Sequence, residues 1–196
     1  MTYQEFLDKY KEEINNRDFG NKAFTSFYGQ KNWFHLLDDL YRLGINPLET
    51  IGETIPIGFF MYYNGNEVIA IPSNITRIAK DAFYNSHIRG AVMTTSIQEI
   101  YTSAFYSSHL TSIVLPSSVT LVMPSCFEDC KKLKTVSIRN STIRLGEDCF
   151  NGCDELEDIF FNGTLEQWRE ISKKANYKLL PIKEVKIHCS DQVVSS

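Results

Sequence analysis

The chain has 196 residues, 43% of them hydrophobic and 22% charged, with a formal net charge of −4 and a pI near 5.6. That is enough apolar material for one domain with a full core, or for one domain and a small appendage. It leaves no basic stripe to neutralise phosphates, which argues against direct binding of nucleic acid, and no run approaches the roughly 20 apolar residues that span a bilayer.

The N-terminal stretch MTYQEFLDKYKEEINN carries acids from its fifth residue and lacks the apolar core of a signal peptide, so the chain reads as soluble and cytoplasmic. Thr2 and Glu5 form a capping box ahead of the helical apolar set Tyr3, Phe6, Leu7, Tyr10 and Ile14. A second helix is predicted in NWFHLLDDLYRLGINP, with Trp33, Leu36, Leu37 and Leu40 on one side, Gly44 at its stop and Pro47 just beyond. The aromatic, Gly-containing stretch FGNKAFTSFYG between them reads as an ordered loop. Some 50 residues rarely bury enough apolar surface alone. Residues 1–53 are therefore expected to form a helical module that caps the rest of the chain, with recognition of a partner through Phe19 to Trp33 as its other use.

Past residue 53 the pattern changes. FMYYNGNEVIAI reads as a hairpin around Asn64-Gly65, a dipeptide suited to a tight two-residue turn. Then a small residue followed by Phe recurs at Ala82-Phe83, Ala104-Phe105, Cys126-Phe127 and Cys149-Phe150, in steps of 22, 22 and 23. The four units run over 75–96, 97–118, 119–141 and 142–164, and their apolar positions superpose. Ile78, Ile100, Val122 and Leu145 form one column; Ile88, Leu110, Leu133 and Leu156 form another, with one residue inserted ahead of it in the last two units. The pairs Ala91/Met93, Ile113/Leu115, Val136/Ile138 and Ile159/Phe161 alternate as inward side chains of a short strand. A period of this length indicates a solenoid, whose coils bury a core only by stacking on one another.

The run LTSIVLPSSVTLVMPSCFEDCKKL, with Ala/Cys-Phe, a small residue or Cys, Leu, a strand and Pro-Ser, resembles the BspA-type leucine-rich repeat over roughly residues 59–189. The resemblance implies an adhesive or protein-binding surface, with partners that vary among members. Tyr101 and Met123 depart from it, standing where the family often has Gly, and they are expected to place apolar side chains outside. The fold expected is α+β: a β-rich solenoid of short parallel strands over 54–189, with the helical cap in front and a helix-plus-strand cap over 165–189. Thr164 and Gln167 supply a capping box for that last helix, Leu165, Trp168 and Ile171 its inward face, and Val185 to Ile187 the final strand. Residues 190–196 read as a tail.

Two Cys-x3-Cys pairs, CFEDC and CFNGC, have the look of a four-thiolate zinc site. The repeat accounts for them without metal: Cys126 and Cys149 take the slot of Ala82 and Ala104, and Cys130 and Cys153 that of Ser86 and Ser108, small positions in which free Cys acts as a hydrophobe. Stacked coils about 4.8 Å apart also permit a Cys126–Cys149 or Cys130–Cys153 disulfide, although five cysteines, an odd number, suit reduced thiols better. His87 and His109 share a column with no third metal ligand in register, and His35 and His188 are isolated. No nucleophile is coupled to any histidine and no Gly-rich loop cradles phosphate, so neither catalysis nor a cofactor or metal is expected.

What remains is surface. The outward mid-strand column is read as Ala70, Val92, Val114, Ser137, Phe160 and Lys186, and a second outward group on the turn as Tyr101, Leu121, Met123 and Ile143. Contiguous exposed apolar side chains imply a contact. The expected partner-binding residues are Val92, Val114 and Phe160 on the strand face, with Tyr101, Leu121 and Met123 on the turn face as the alternative. A protein partner is expected, and self-association or cover by the N-terminal module are the other ways to occupy these residues. The second functional class is an intracellular inhibitor or adaptor, for example from a phage or mobile element, that blocks a host protein or nucleoprotein complex.

Overall fold

The computed structural model describes residues 46–49, 51–175 and 179–196. The helical elements expected before residue 46 lie outside the described residues. From residue 53 onward the chain winds as a β-solenoid. Each coil contributes a two-residue strand and a longer one. The short strands are β1 (Thr54–Ile55), β3 (Arg77–Ile78), β5 (Glu99–Ile100), β7 (Leu121–Val122) and β9 (Arg144–Leu145), which pair in parallel in that order. The long strands are β2 (Val68–Ala70), β4 (Gly90–Val92), β6 (Ser112–Leu115), β8 (Thr135–Ile138), β10 (Asp158–Phe161) and β11 (Lys186–His188). β2 pairs with β4, and β6, β8, β10 and β11 form a second parallel run, to whose last strand β12 (Val193–Ser195) adds antiparallel. The stretch expected as a tail therefore carries an edge strand.

The core is built in columns. The rings of Phe60, Phe83, Phe105, Phe127 and Phe150 stack nearly parallel, with centroids 4.7, 4.7, 5.3 and 5.5 Å apart along the series. Beside them Ile55, Ile78, Ile100, Val122 and Leu145 turn inward from the short strands, and Ile113, Val136, Ile159 and Ile187 from the long ones. Each coil turns twice around its Phe through a residue of positive φ: Gly58 and Tyr62, Asp81 and Asn85, Ser103 and Ser107, Ser125 and Asp129, Asp148 and Gly152, all between 49° and 69°. A left-handed conformation costs an ordinary L-residue about 1–2 kcal/mol, which explains why Gly, Asn, Asp and Ser fill nine of these ten positions. Asparagine amides join the coils: the Asn140 amide donates to Val119 O at 2.9 Å, and the Asn74 amide to Ile51 O at 3.1 Å.

The hairpin expected around Asn64-Gly65 is not formed. Neither residue has the positive φ that its turn requires, and β2 pairs in parallel with β4, so residues 54–70 make a further coil. The step of small residue and Phe does not reveal this coil, because its two small slots hold Phe59 and Tyr63, both fully buried, where the next coil has Ala82 and Ser86. At the other end α1 (Leu165–Lys174) starts at the expected capping box: Gln167 N–H donates to Thr164 Oγ1 at 3.3 Å, and Thr164 N–H donates to Gln167 Oε1 at 2.8 Å. Its buried face is Leu165, Trp168 and Ile171.

Candidate functional site

Alternation along the long strands decides what faces out. In β6 and β10 the second and fourth residues enter the core, so the first and third are presented to solvent. The third positions run Ala70, Val92, Val114, Ser137, Phe160 and His188 from coil to coil, and Val193, the first residue of the antiparallel edge strand β12, stands opposite His188. Val92, Val114, Phe160 and Val193 are 58%, 44%, 45% and 57% exposed, an apolar ladder that nothing in the core uses. The ladder is not uniform. β4 and β6 lie side by side and are joined by Thr111 N–H to Arg89 O at 3.1 Å, but their strands are not hydrogen-bonded to one another.

The outward neighbour of Phe160 in the last coil is His188 and not Lys186, which stands opposite Asp158. The strand is displaced by two residues from the expected register. A two-residue shift leaves the inward and outward faces unchanged, so the pattern of Val185 and Ile187 could not fix it. In the observed register the His188 ring stacks on Phe160 with centroids 4.5 Å apart, and its Nε2 lies 2.6 Å from Asp158 Oδ1.

The turn group fares differently. Ile143 is 2% exposed and takes the core position of Ile75, Ile97 and Val119: all four close the same i to i−3 turn, although Ile143 precedes its short strand by one residue and the others precede theirs by two. Leu121 is half-buried and stands in register between Glu99 and Arg144. Tyr101 and Met123 follow β5 and β7 in adjacent coils and are half-buried; the Tyr101 hydroxyl donates to Glu99 Oε2 at 2.8 Å, and that bond first of all raises its pKa. Gly146 continues their column, and a Cβ there would lie 2.3 Å from Pro124 N.

A third aromatic set lies outside both groups expected from the sequence. Tyr84 and Tyr106 stack outward at 5.1 Å with Tyr62 edge-on at 5.8 Å, and the Tyr106 hydroxyl donates to Asp129 Oδ2 at 3.0 Å, which pushes its pKa up to about 12. Its signal in the sequence is the Tyr after each Phe in DAFYNSH and SAFYSSH, next to the more conspicuous histidines.

The four repeat cysteines are fully buried thiols, and all five cysteines of the chain are free. Cys130 Sγ donates to Phe105 O at 3.0 Å and Cys153 Sγ to Phe127 O at 3.1 Å. Burial pushes the Cys130 pKa up to about 12 and raises the other three. Neutral and enclosed, such thiols are poor nucleophiles. The rings of His87 and His109 stack at 4.0 Å. His35 lies outside the described residues.

Comparison with known proteins agrees with this geometry. The family model described as BspA type Leucine rich repeat region matches residues 53–190 in 6 copies. A solved leucine-rich repeat protein from Bacteroides ovatus is similar at TM-score 0.54 and 20% identity, over 71% of this chain and 35% of that one. A leucine-rich repeat protein from T. pallidum is similar at TM-score 0.51 and 19% identity, over 69% of this chain and 66% of that one. The chain thus spans about a third of the first and just under two thirds of the second. At these identities the likeness is one of fold. No curated protein matches.

Proposed function

The chain belongs to the BspA-type leucine-rich repeat family, and from that premise we propose that it is a non-enzymatic binding module that recognises a protein partner through the strand face of its solenoid. The observation that carries this reading is the exposed ladder of Val92, Val114 and Phe160. Repeat arrays hold side chains in fixed rows, and interfaces concentrate their energy in a few aromatic and apolar anchors within such rows. Phe160 is the anchor, since its ring is held in place by His188 behind it. Tyr101, Leu121 and Met123 remain the competing site. Their case is weaker on physical grounds, because Leu121 has charged neighbours and Tyr101 is already bonded to Glu99.

The test is to crosslink a partner to the full chain and titrate it against two double variants, Val114→Asp with Phe160→Asp and Tyr101→Asp with Met123→Asp. Loss of binding in the first alone supports the strand face. Loss in the second alone moves the site to the turn.

A further inference from the structure

The strand-face ladder has a gap one rung wide. Between Val114 and Phe160 stands Ser137, so the Phe160 ring is covered by His188 on one side and has only a small hydroxyl-bearing neighbour on the other. The gap opens into a depression of about 460 Å³, whose lining includes Ser117, Ser137, Arg139, Phe160, Asn162 and His188. Its polar groups are available. Among the described residues, the hydroxyls of Ser117 and Ser137 and the guanidinium of Arg139 have no partner, while the Asn162 amide nitrogen donates to Arg139 O at 3.3 Å. Arg139 is exposed, and no carboxylate lines the depression. Asp158, the acid two residues before Phe160, is engaged by His188 at 2.6 Å.

A planar guanidinium with free donors, beside hydroxyls and an aromatic wall, is complementary to a carboxylate borne on a short aliphatic stem. The apolar side chains on either side of the gap call for apolar neighbours in the ligand. We propose that this notch receives an Asp or Glu side chain from an extended segment of the protein partner, with the carboxylate on Arg139 and the flanking apolar side chains on Val114 and Phe160. The proposal rests on the strand face being the contact surface and adds to it the chemistry of what is recognised.

Random peptides displayed on phage and selected on the full-length protein test it, with a parallel arm of uronic- and sialic-acid glycans. The selected peptides are expected to share a carboxylate flanked by apolar residues. Arg139→Gln should weaken their binding by about tenfold or more, the scale of one charge-assisted pair, at an unchanged melting temperature. Arg139→Glu should abolish binding, and replacing the peptide's acid by Lys should restore it on that variant. Peptides that are lost on Val114→Asp but indifferent to Arg139→Glu would overturn the notch and leave the strand face standing. Indifference to both substitutions removes the strand-face reading as well. Failure to select any peptide, or Arg139-dependent retention of the acidic glycans alone, overturns the assignment to a peptide.

Discussion

The short-strand face and the long-strand face are made by the same coils over the same core, yet their outward side chains are differently employed. On the short-strand face they satisfy one another: Arg77 Nε donates to Thr54 Oγ1 at 3.1 Å, its guanidinium lies 3.7 Å from Glu53, and Tyr101 bonds Glu99. On the long-strand face Val92, Val114 and Phe160 project beyond the core with 44–58% of their surface in water. Surface ion pairs contribute little to stability, so the first face is a solvated wall. The second keeps its apolar area for something else. The interior columns fix the shape of both faces and carry no information about a partner; only the difference between the faces does.

The comparison breaks most completely at the core. Phe127→Ala removes a ring stacked on two neighbours, at 5.3 and 5.5 Å, and should cost about 3–5 kcal/mol, read as a large drop in the denaturation midpoint that disorders both faces together. An unchanged midpoint would mean that the rings do not form the spine.

A smaller effect should be confined to one side. Gly146→Ala places a Cβ 2.3 Å from Pro124 N and 2.6 Å from Met123 C, so backbone has to move. A cost of about 1–3 kcal/mol is expected, with hydrogen exchange speeding up first around the short strands β7 and β9 while the long strands stay protected. Equal loss of protection on both sides would contradict the independence of the two faces.

Acid should act at the turn that joins them. Burial first, then the neighbouring His87 and Lys132, lowers the His109 pKa below its ordinary 6.5. The unfolded chain then binds more protons than the folded one as pH falls through that value, so stability is lost below about pH 6.5 until His109 itself is protonated. Denaturation midpoints measured on either side of that pH should show the loss. Replacing His87 and His109 by Asn should remove that part of the pH dependence.

The repeat was legible because its marks are local and periodic: the Phe step, the small slots and the polar residues at positive φ recur at fixed spacing. The first coil was hidden where those marks fail, since Phe59 and Tyr63 replace the small residues and Asn64-Gly65 imitates a hairpin turn. The outward column is legible as far as Phe160 and fails at the last coil, where His188 stands in place of Lys186, because a register shift of two residues leaves the alternation intact. Ile143 escapes the pattern because its coil is one residue shorter here: it lies two residues before the inward Leu145, where Ile97 and Val119 lie three before Ile100 and Val122. The sequence places Ser137 between Val114 and Phe160, but not the depression beside it or the His188 ring that closes it. These depend on which residue of one coil stands beside which residue of the next.

The most direct test of a strand-face contact is the affinity of a captured partner for Val114→Asp with Phe160→Asp, measured beside Tyr101→Asp with Met123→Asp in folded protein. The strand-face variant should bind about 30-fold more weakly or worse, the effect of losing a hot spot of about 2 kcal/mol, with a melting temperature close to that of the parent, and the turn-face variant should bind as the parent does. Parent-like affinity in the strand-face variant would contradict the strand-face assignment.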